Sequence, residues 1–203
     1  MKKIMFNDKY GLTQAVLEGR KTQTRRIAYT QNGFVVFDDE DFQLKKLDNG
    51  QALLMLRNNR LKTANYKLGE TIAIAQRYED LLNDDEFYRL CGKNGMPLER
   101  IGYEKGCKNK MFVRADLMPH HIRINNIRVE RLQDISNGGC LKEGIWRDDN
   151  VGLEGTTYWY HGLANSSFRT PQEAYASLID LISSKGTWES NPYVVVYEFE
   201  LID

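Results

Sequence analysis

The last third of this 203-residue chain constrains its fold most tightly. Thr170-Pro171-Gln172-Glu173 spells a helix start. The Thr side chain can accept from the amide three residues on, the Glu can reach back, and Pro occupies the first helical position, where no backbone donor is needed. Tyr175, Leu178, Ile179 and Ile182 then recur at helical spacing and predict one apolar stripe. Gly186 is expected to end this helix. From residue 193 the period changes to two. Tyr193, Val195, Tyr197, Phe199 and Leu201 alternate with Val194, Val196, Glu198 and Glu200, which predicts a strand with one strongly apolar face closing the chain against the core.

The earlier segments are shorter. Leu12, Ala15 and Val16 predict a helix over residues 11–18, with Gly19 placed to end it in a left-handed conformation. Residues 34–37 and 52–56 are short apolar runs, and Glu70-Thr71-Ile72-Ala73-Ile74-Ala75 after Gly69 favours a strand. Residues 122–132 read as a strand pair or one bulged strand, because the apolar parity switches at Asn125-Asn126. Ser136 is placed to cap a short helix reaching Ile145, with a loose start because Gly139 occupies the position where a capping box needs an acid or amide. Residues 80–110 are polar and weakly periodic. Apart from a short helix near Leu81, Leu82 and Phe87, they read as an insertion or mobile loop region. Strands come first, in the middle and last, with helices between and no regular βαβ alternation. That pattern predicts a single α+β domain over residues 1–203, with a mixed or barrel-like sheet and an insertion at about 80–108.

Charge narrows the partners. Lys plus Arg and Asp plus Glu both number 28, so the formal net charge is zero and bulk attraction to a long nucleic acid is weak. A nucleoside or short oligonucleotide fits better. The apolar run after Lys2-Lys3 is too short for a signal peptide, and no stretch approaches the ~18 apolar residues of a membrane span. The expectation is a cytoplasmic protein. Cys91, Cys107 and Cys140 are odd in number and widely spaced, hence free thiols rather than a disulfide framework. A zinc site drawing on Cys91, Cys107 and His120 or His121 would lack the close Cys-x-x-Cys spacing, so neither metal nor cofactor is expected.

The densest chemistry is Gly19-Arg20-Lys21-Thr22-Gln23-Thr24-Arg25-Arg26. Forked guanidinium donors, a Lys point charge and two hydroxyls can together hold an anion. The plain alternative is a basic helix end that offsets the helix dipole and stays solvated. Tyr158-Trp159-Tyr160-His161 is a second cluster, suited either to stacking on bases or to packing an edge of the sheet.

Gly19, Lys21, Thr24 and Arg26 stand in the pattern Gly-x-Lys-x-x-Thr-x-Arg, which resembles the signature of the ASCH family. Gly69 to Ile74 resembles the family strand after the signature, and Ile127 to Ser136, Glu143-Gly144-Ile145 and Trp188 to Tyr193 resemble further segments of phage-type long relatives, in the same order. The resemblance leaves out roughly residues 80–108 and 146–168. It implies a PUA-like mixed β-barrel with flanking helices and inserted segments, and a cleft beside the signature that binds a nucleoside or short single-stranded RNA. Some small members remove the acetyl group from N4-acetylcytidine. By that resemblance Lys21, Thr24 and Glu143 are the catalytic candidates, and Gly19, Arg20, Arg25 and Arg26 the ligand-binding ones. Asn137-Gly138-Gly139 departs from the acidic residues usual in that stretch. The rival readings are a non-catalytic RNA-binding module and a phage- or mobile-element accessory protein that acts through a protein partner.

Overall fold

The computed structural model describes residues 1–28, 43–55, 61–149, 155–162 and 167–202. The elements run β1 (Lys3–Ile4), α1 (Leu12–Leu17), β2 (Gln23–Ile27), β3 (Gln43–Lys46), β4 (Ala52–Met55), β5 (Leu61–Thr63), β6 (Thr71–Ile74), α2 (Asp85–Lys93), β7 (His121–Arg131), α3 (Asn137–Lys142), β8 (Trp146–Asp148), β9 (Thr157–Trp159), α4 (Pro171–Ile182), α5 (Thr187–Ser190) and β10 (Tyr193–Leu201). The apolar run at 34–37 lies outside the described residues.

The architecture is mixed α+β. A five-stranded sheet has the order β1-β6-β7-β10-β2, with β1 parallel to β6 and the other pairs antiparallel. β3-β4-β5 and β8-β9 form two small antiparallel sheets. The alternation in residues 193–201 predicts one apolar face, but Val194, Val195, Val196 and Tyr197 are all buried. The reason is position: β10 lies between β7 and β2 and is covered on both faces. β7 is one strand, and its pairing with β10 slips between Glu198 and Phe199, opposite Asn126 and Ile124. That slip is the bulge the parity switch at Asn125-Asn126 requires.

The helix ends follow their side chains. Thr170 Oγ1 accepts from the Glu173 amide, and Glu173 Oε2 accepts from the Thr170 amide. The helix stops at Ile182, four residues before the expected Gly186. Gly186 instead precedes α5, and Asp180 holds that turn by accepting from the amides of Gly186 and Trp188. Ser136 Oγ accepts from the Gly139 amide and starts α3, which closes at Lys142 rather than at Ile145.

Residues 76–120, which take in the 80–110 stretch expected to be an insertion or a mobile loop region, carry a packed core of their own instead of a bare loop. Besides α2 they hold five short 3-10 turns, and Tyr78, Leu81, Phe87, Cys91, Met96, Ile101, Val113, Leu117 and Met118 form a second apolar cluster. β6 joins the two cores. Ile72 and Ile74 belong to the main core, while Ala73 and Ala75 face the second. The alternation of a strand gives each face of β6 its own core.

Candidate functional site

Three backbone junctions bring the signature against residue 143. The Lys21 amide donates to Ala15 O at 2.8 Å, so the chain leaves α1 already turned toward β2. Gly19 lies in that turn at φ 72°. The Thr22 amide donates to Lys142 O at 2.9 Å, tying the entry of β2 to the end of α3. Glu143 follows as the C-terminal cap of α3, and Gly144 has φ 104°. That left-handed φ favours glycine, and a Cβ there would also stand 3.2 Å from Leu12 Cδ2, a tight contact between α3 and α1.

Lys21, Thr24, Arg25 and Glu143 are all buried, at 2%, 5%, 7% and 4% exposure. Lys21 Nζ stands 2.6 Å from Glu143 Oε2 and 2.9 Å from the Glu143 carbonyl oxygen. Arg25 Nη1 lies 2.8 Å from Glu143 Oε1, while its Nε and Nη2 bond Glu130 Oε1 at 3.0 and 2.6 Å. The guanidinium fork thus spans two carboxylates, a geometry a Lys could not reproduce. Gly139 matters to this fork. A Cβ there would lie 3.0 Å from Ile135 Cγ1 and 3.4 Å from Arg25 Nη2. Gly139, read in the sequence only as part of a departure from the family pattern, leaves room for Arg25, whereas a Cβ on Gly138 would meet nothing within 4 Å.

These groups form the floor of a cavity of about 510 Å³. Leu12, Leu178, Ile179 and Ile182 supply an apolar wall, and Phe6 packs with its ring centroid 5.8 Å from Lys21 Nζ. Asp8, Lys9, Arg26 and Lys110 lie at its charged part. Burial holds Lys21 below the usual lysine pKa. The Glu143 carboxylate opposes that fall, and Arg26 and Arg25 add to it. Burial alone would raise Glu130, yet Arg128 and Arg25 keep it below the ordinary carboxylate value. No hydrogen bond joins the Thr24 hydroxyl to another described residue, and no buried side-chain nitrogen or oxygen among them lacks a partner; the hydroxyl therefore opens to the cavity.

The structure brings Lys21, Thr24, Arg25, Arg26 and Glu143 to this cavity, but not Gly19 or Arg20. Gly19 shapes the turn after α1. Arg20 faces elsewhere: it pairs with Glu18 at 2.7 Å and lies 3.6 Å over the Trp146 ring. Arg26 donates to Met5 O at 2.8 Å. Two participants escaped the sequence reading. Glu130 is the second carboxylate of the Arg25 fork; its position in β7, with its backbone beside Val194 of β10, became visible only once register was known. Tyr175 lines the cavity from α4, where helical spacing marked it only as core.

The second cluster divides. Tyr160 is fully buried, bonds Ser177 Oγ at 2.8 Å and packs edge-on against Tyr10. Trp159 stacks on Trp146 across the β8–β9 pair, at 5.1 Å and 3°. Packing accounts for both rings. Cys91, Cys107 and Cys140 are buried free thiols, and no group of His, Cys, Asp and Glu among the described residues is arranged to hold a metal. Among the described residues, no helix is long and apolar enough to cross a membrane.

No family model matches this chain, no curated protein matches it, and no solved structure matches it.

Proposed function

We propose that this chain is an ASCH-like protein of PUA-like barrel fold that binds a nucleoside or short single-stranded RNA in the Lys21–Glu143 cavity and hydrolyses the amide of an N4-acylated cytidine. One observation carries the reading. Lys21 and Thr24, from one short segment, meet Glu143, 122 positions on from Lys21, at one cavity, with the two charged groups in direct contact. The volume lies within the range of small-molecule sites, about 300–1,000 Å³, and suits a nucleoside better than a long polymer.

The chemistry closes with one mobile proton. In the reactive form the proton of the Lys21–Glu143 ion pair passes from Lys21 to the carboxylate, which frees the amine without changing the number of protons held, and burial disfavours the charged amine. Thr24 Oγ attacks the acyl carbon and gives its proton to Lys21 Nζ. Glu143 protonates the departing N4, the C–N bond breaks, and the acyl group rests on Thr24. Water then attacks the ester. Glu143 takes a proton from it, Lys21 returns one to Thr24 Oγ, and the acid leaves.

The test is acetate release from N4-acetylcytidine by wild type, Lys21→Ala, Thr24→Val and Glu143→Gln, with nucleoside binding followed in parallel. Wild type turns over and each variant loses at least about a hundredfold in kcat, the scale of a general acid–base contribution. Binding without acetate release would leave the non-catalytic module in its place. A protein-partner role has one observation in its favour: Leu98, Tyr103, Met111 and Phe112 in the 76–120 region are at least half exposed.

A further inference from the structure

The buried floor of the cavity holds few free donors. Lys21 directs two bonds to Glu143, and Arg25 is engaged by Glu130 and Glu143. Among the buried polar side chains that line the cavity, two hydroxyls make no hydrogen bond to another described residue: Thr24 and Tyr175. Tyr175 is 3% exposed, and its ring meets Trp188 edge-on at 6.3 Å. A buried Tyr hydroxyl ordinarily finds a partner. No buried side-chain oxygen among the described residues is stranded without one, so the Tyr175 hydroxyl opens to the cavity rather than to packed protein.

In the reaction proposed above, Thr24 is consumed as the nucleophile. As its oxygen bonds to the acyl carbon, the carbonyl electron pair moves onto the acyl oxygen, which needs a donor fixed in place beforehand. We infer that the Tyr175 hydroxyl is that donor, a catalytic residue that holds the acyl oxygen of the substrate by a hydrogen bond. It rests on the hydrolase reading of the same cavity. The proton stays on Tyr175 throughout; only the hydrogen bond strengthens as charge develops. Burial pushes the Tyr175 phenol well above its ordinary value, Glu143 pushes it further and Arg25 draws it down, so the group remains a neutral donor at any physiological pH. α4 fixes it: the helix is pinned at its start by the Thr170–Glu173 capping box, and residue 175 lies in its second turn.

Tyr175→Phe removes the oxygen and keeps the ring. The expected result is a fall in kcat for N4-acetylcytidine of about a hundredfold or more, the usual effect of deleting one such donor, with KM changed less than about threefold. Tm should not fall, because the hydroxyl has no partner in the described protein. Undiminished kcat overturns the assignment, and so does a kcat that falls only together with Tm. If wild type binds N4-acetylcytidine without releasing acetate, the hydrolase reading fails separately. Tyr175 then stands only as a ligand contact: the variant should bind about five- to tenfold more weakly by calorimetry, the worth of about one hydrogen bond, and equal binding overturns it. A wild type that neither binds nor hydrolyses the nucleoside overturns both.

Discussion

Glu143 carries two cations on one carboxylate: Lys21 on Oε2 and Arg25 on Oε1. Replacing it with Leu leaves Lys21 buried without a counter-ion, and breaking a buried pair in this way costs about 3–5 kcal/mol. The loss should shrink as pH rises. Burial lowers the folded pKa of Lys21 below its ordinary 10.5, so between those two values the unfolded chain binds more protons, and stability rises with pH. Urea unfolding of wild type and Glu143→Leu at neutral pH and at pH about 9.5 measures both effects. A deficit that does not shrink would mean that Lys21 keeps its proton in the fold. Much of this site was legible in residues. The family resemblance singled out Lys21, Thr24 and Glu143 together, and the three line one cavity. Arg20 lies outside the cavity, which charge density could not foretell because it says nothing of direction, and its neighbour Trp146 lies 126 positions away in sequence. Tyr175 was legible only as apolar, since the pattern that places a ring on the core side of a helix does not say where its oxygen ends.

At the scale of elements, local chemistry spoke most clearly where it was self-contained. The capping box located α4 because both of its hydrogen bonds lie within four residues. The 76–120 region did the opposite. Its apolar residues are spaced by short 3-10 turns, which keep no long period, and its core closes against Ala73 and Ala75, two residues that carry little signal of their own. This region also reaches the cavity. Lys110 Nζ bonds Phe6 O, Asp8 Oδ1 at 2.7 Å and Thr13 Oγ1 at 3.2 Å, so its ammonium ties down the 6–13 segment that forms one side of the site. Lys110→Met keeps much of the stem and removes the three bonds. Amide exchange in residues 6–13 should quicken by about tenfold, matching the loss of roughly 1–2 kcal/mol of local protection, while β7 and β10 amides stay unchanged. Uniform exchange across all of these segments in the variant would instead show that Lys110 acts on global stability.

Among the described residues, a main core and a second core share β6, and the buried tyrosines report on both. Tyr78 belongs to the second core, and Tyr197 to the main one beside Tyr66, whose ring lies 5.1 Å away. Burial raises each phenol. Tyr78 is drawn back by the Arg114 amide that donates to its oxygen, while Tyr197 reaches about 12 despite the Asn65 amide that does the same. The sign follows from linkage. A phenol with a raised folded pKa keeps its proton in the native state while the unfolded chain loses its own near pH 10, so its stabilising share is complete below pH 10 and is lost as pH climbs toward the folded value. For Tyr197, 1% exposed, that window runs from about 10 to about 12 and is worth about 2–3 kcal/mol. Alkaline unfolding should therefore begin above pH 10. Because the two faces of β6 are buried in different cores, exposing either core strips one side of that strand, and the cores should open together. Phenolate absorbance and far-ultraviolet circular dichroism, followed across an alkaline titration, should then trace one coincident transition. A Tyr78→Phe variant separates the alternatives: its phenolate signal should lose amplitude without shifting the midpoint of the remainder by more than a few tenths of a pH unit. Two steps in the wild type, with only the first diminished by Tyr78→Phe, would show that the 76–120 region unfolds apart from the main sheet.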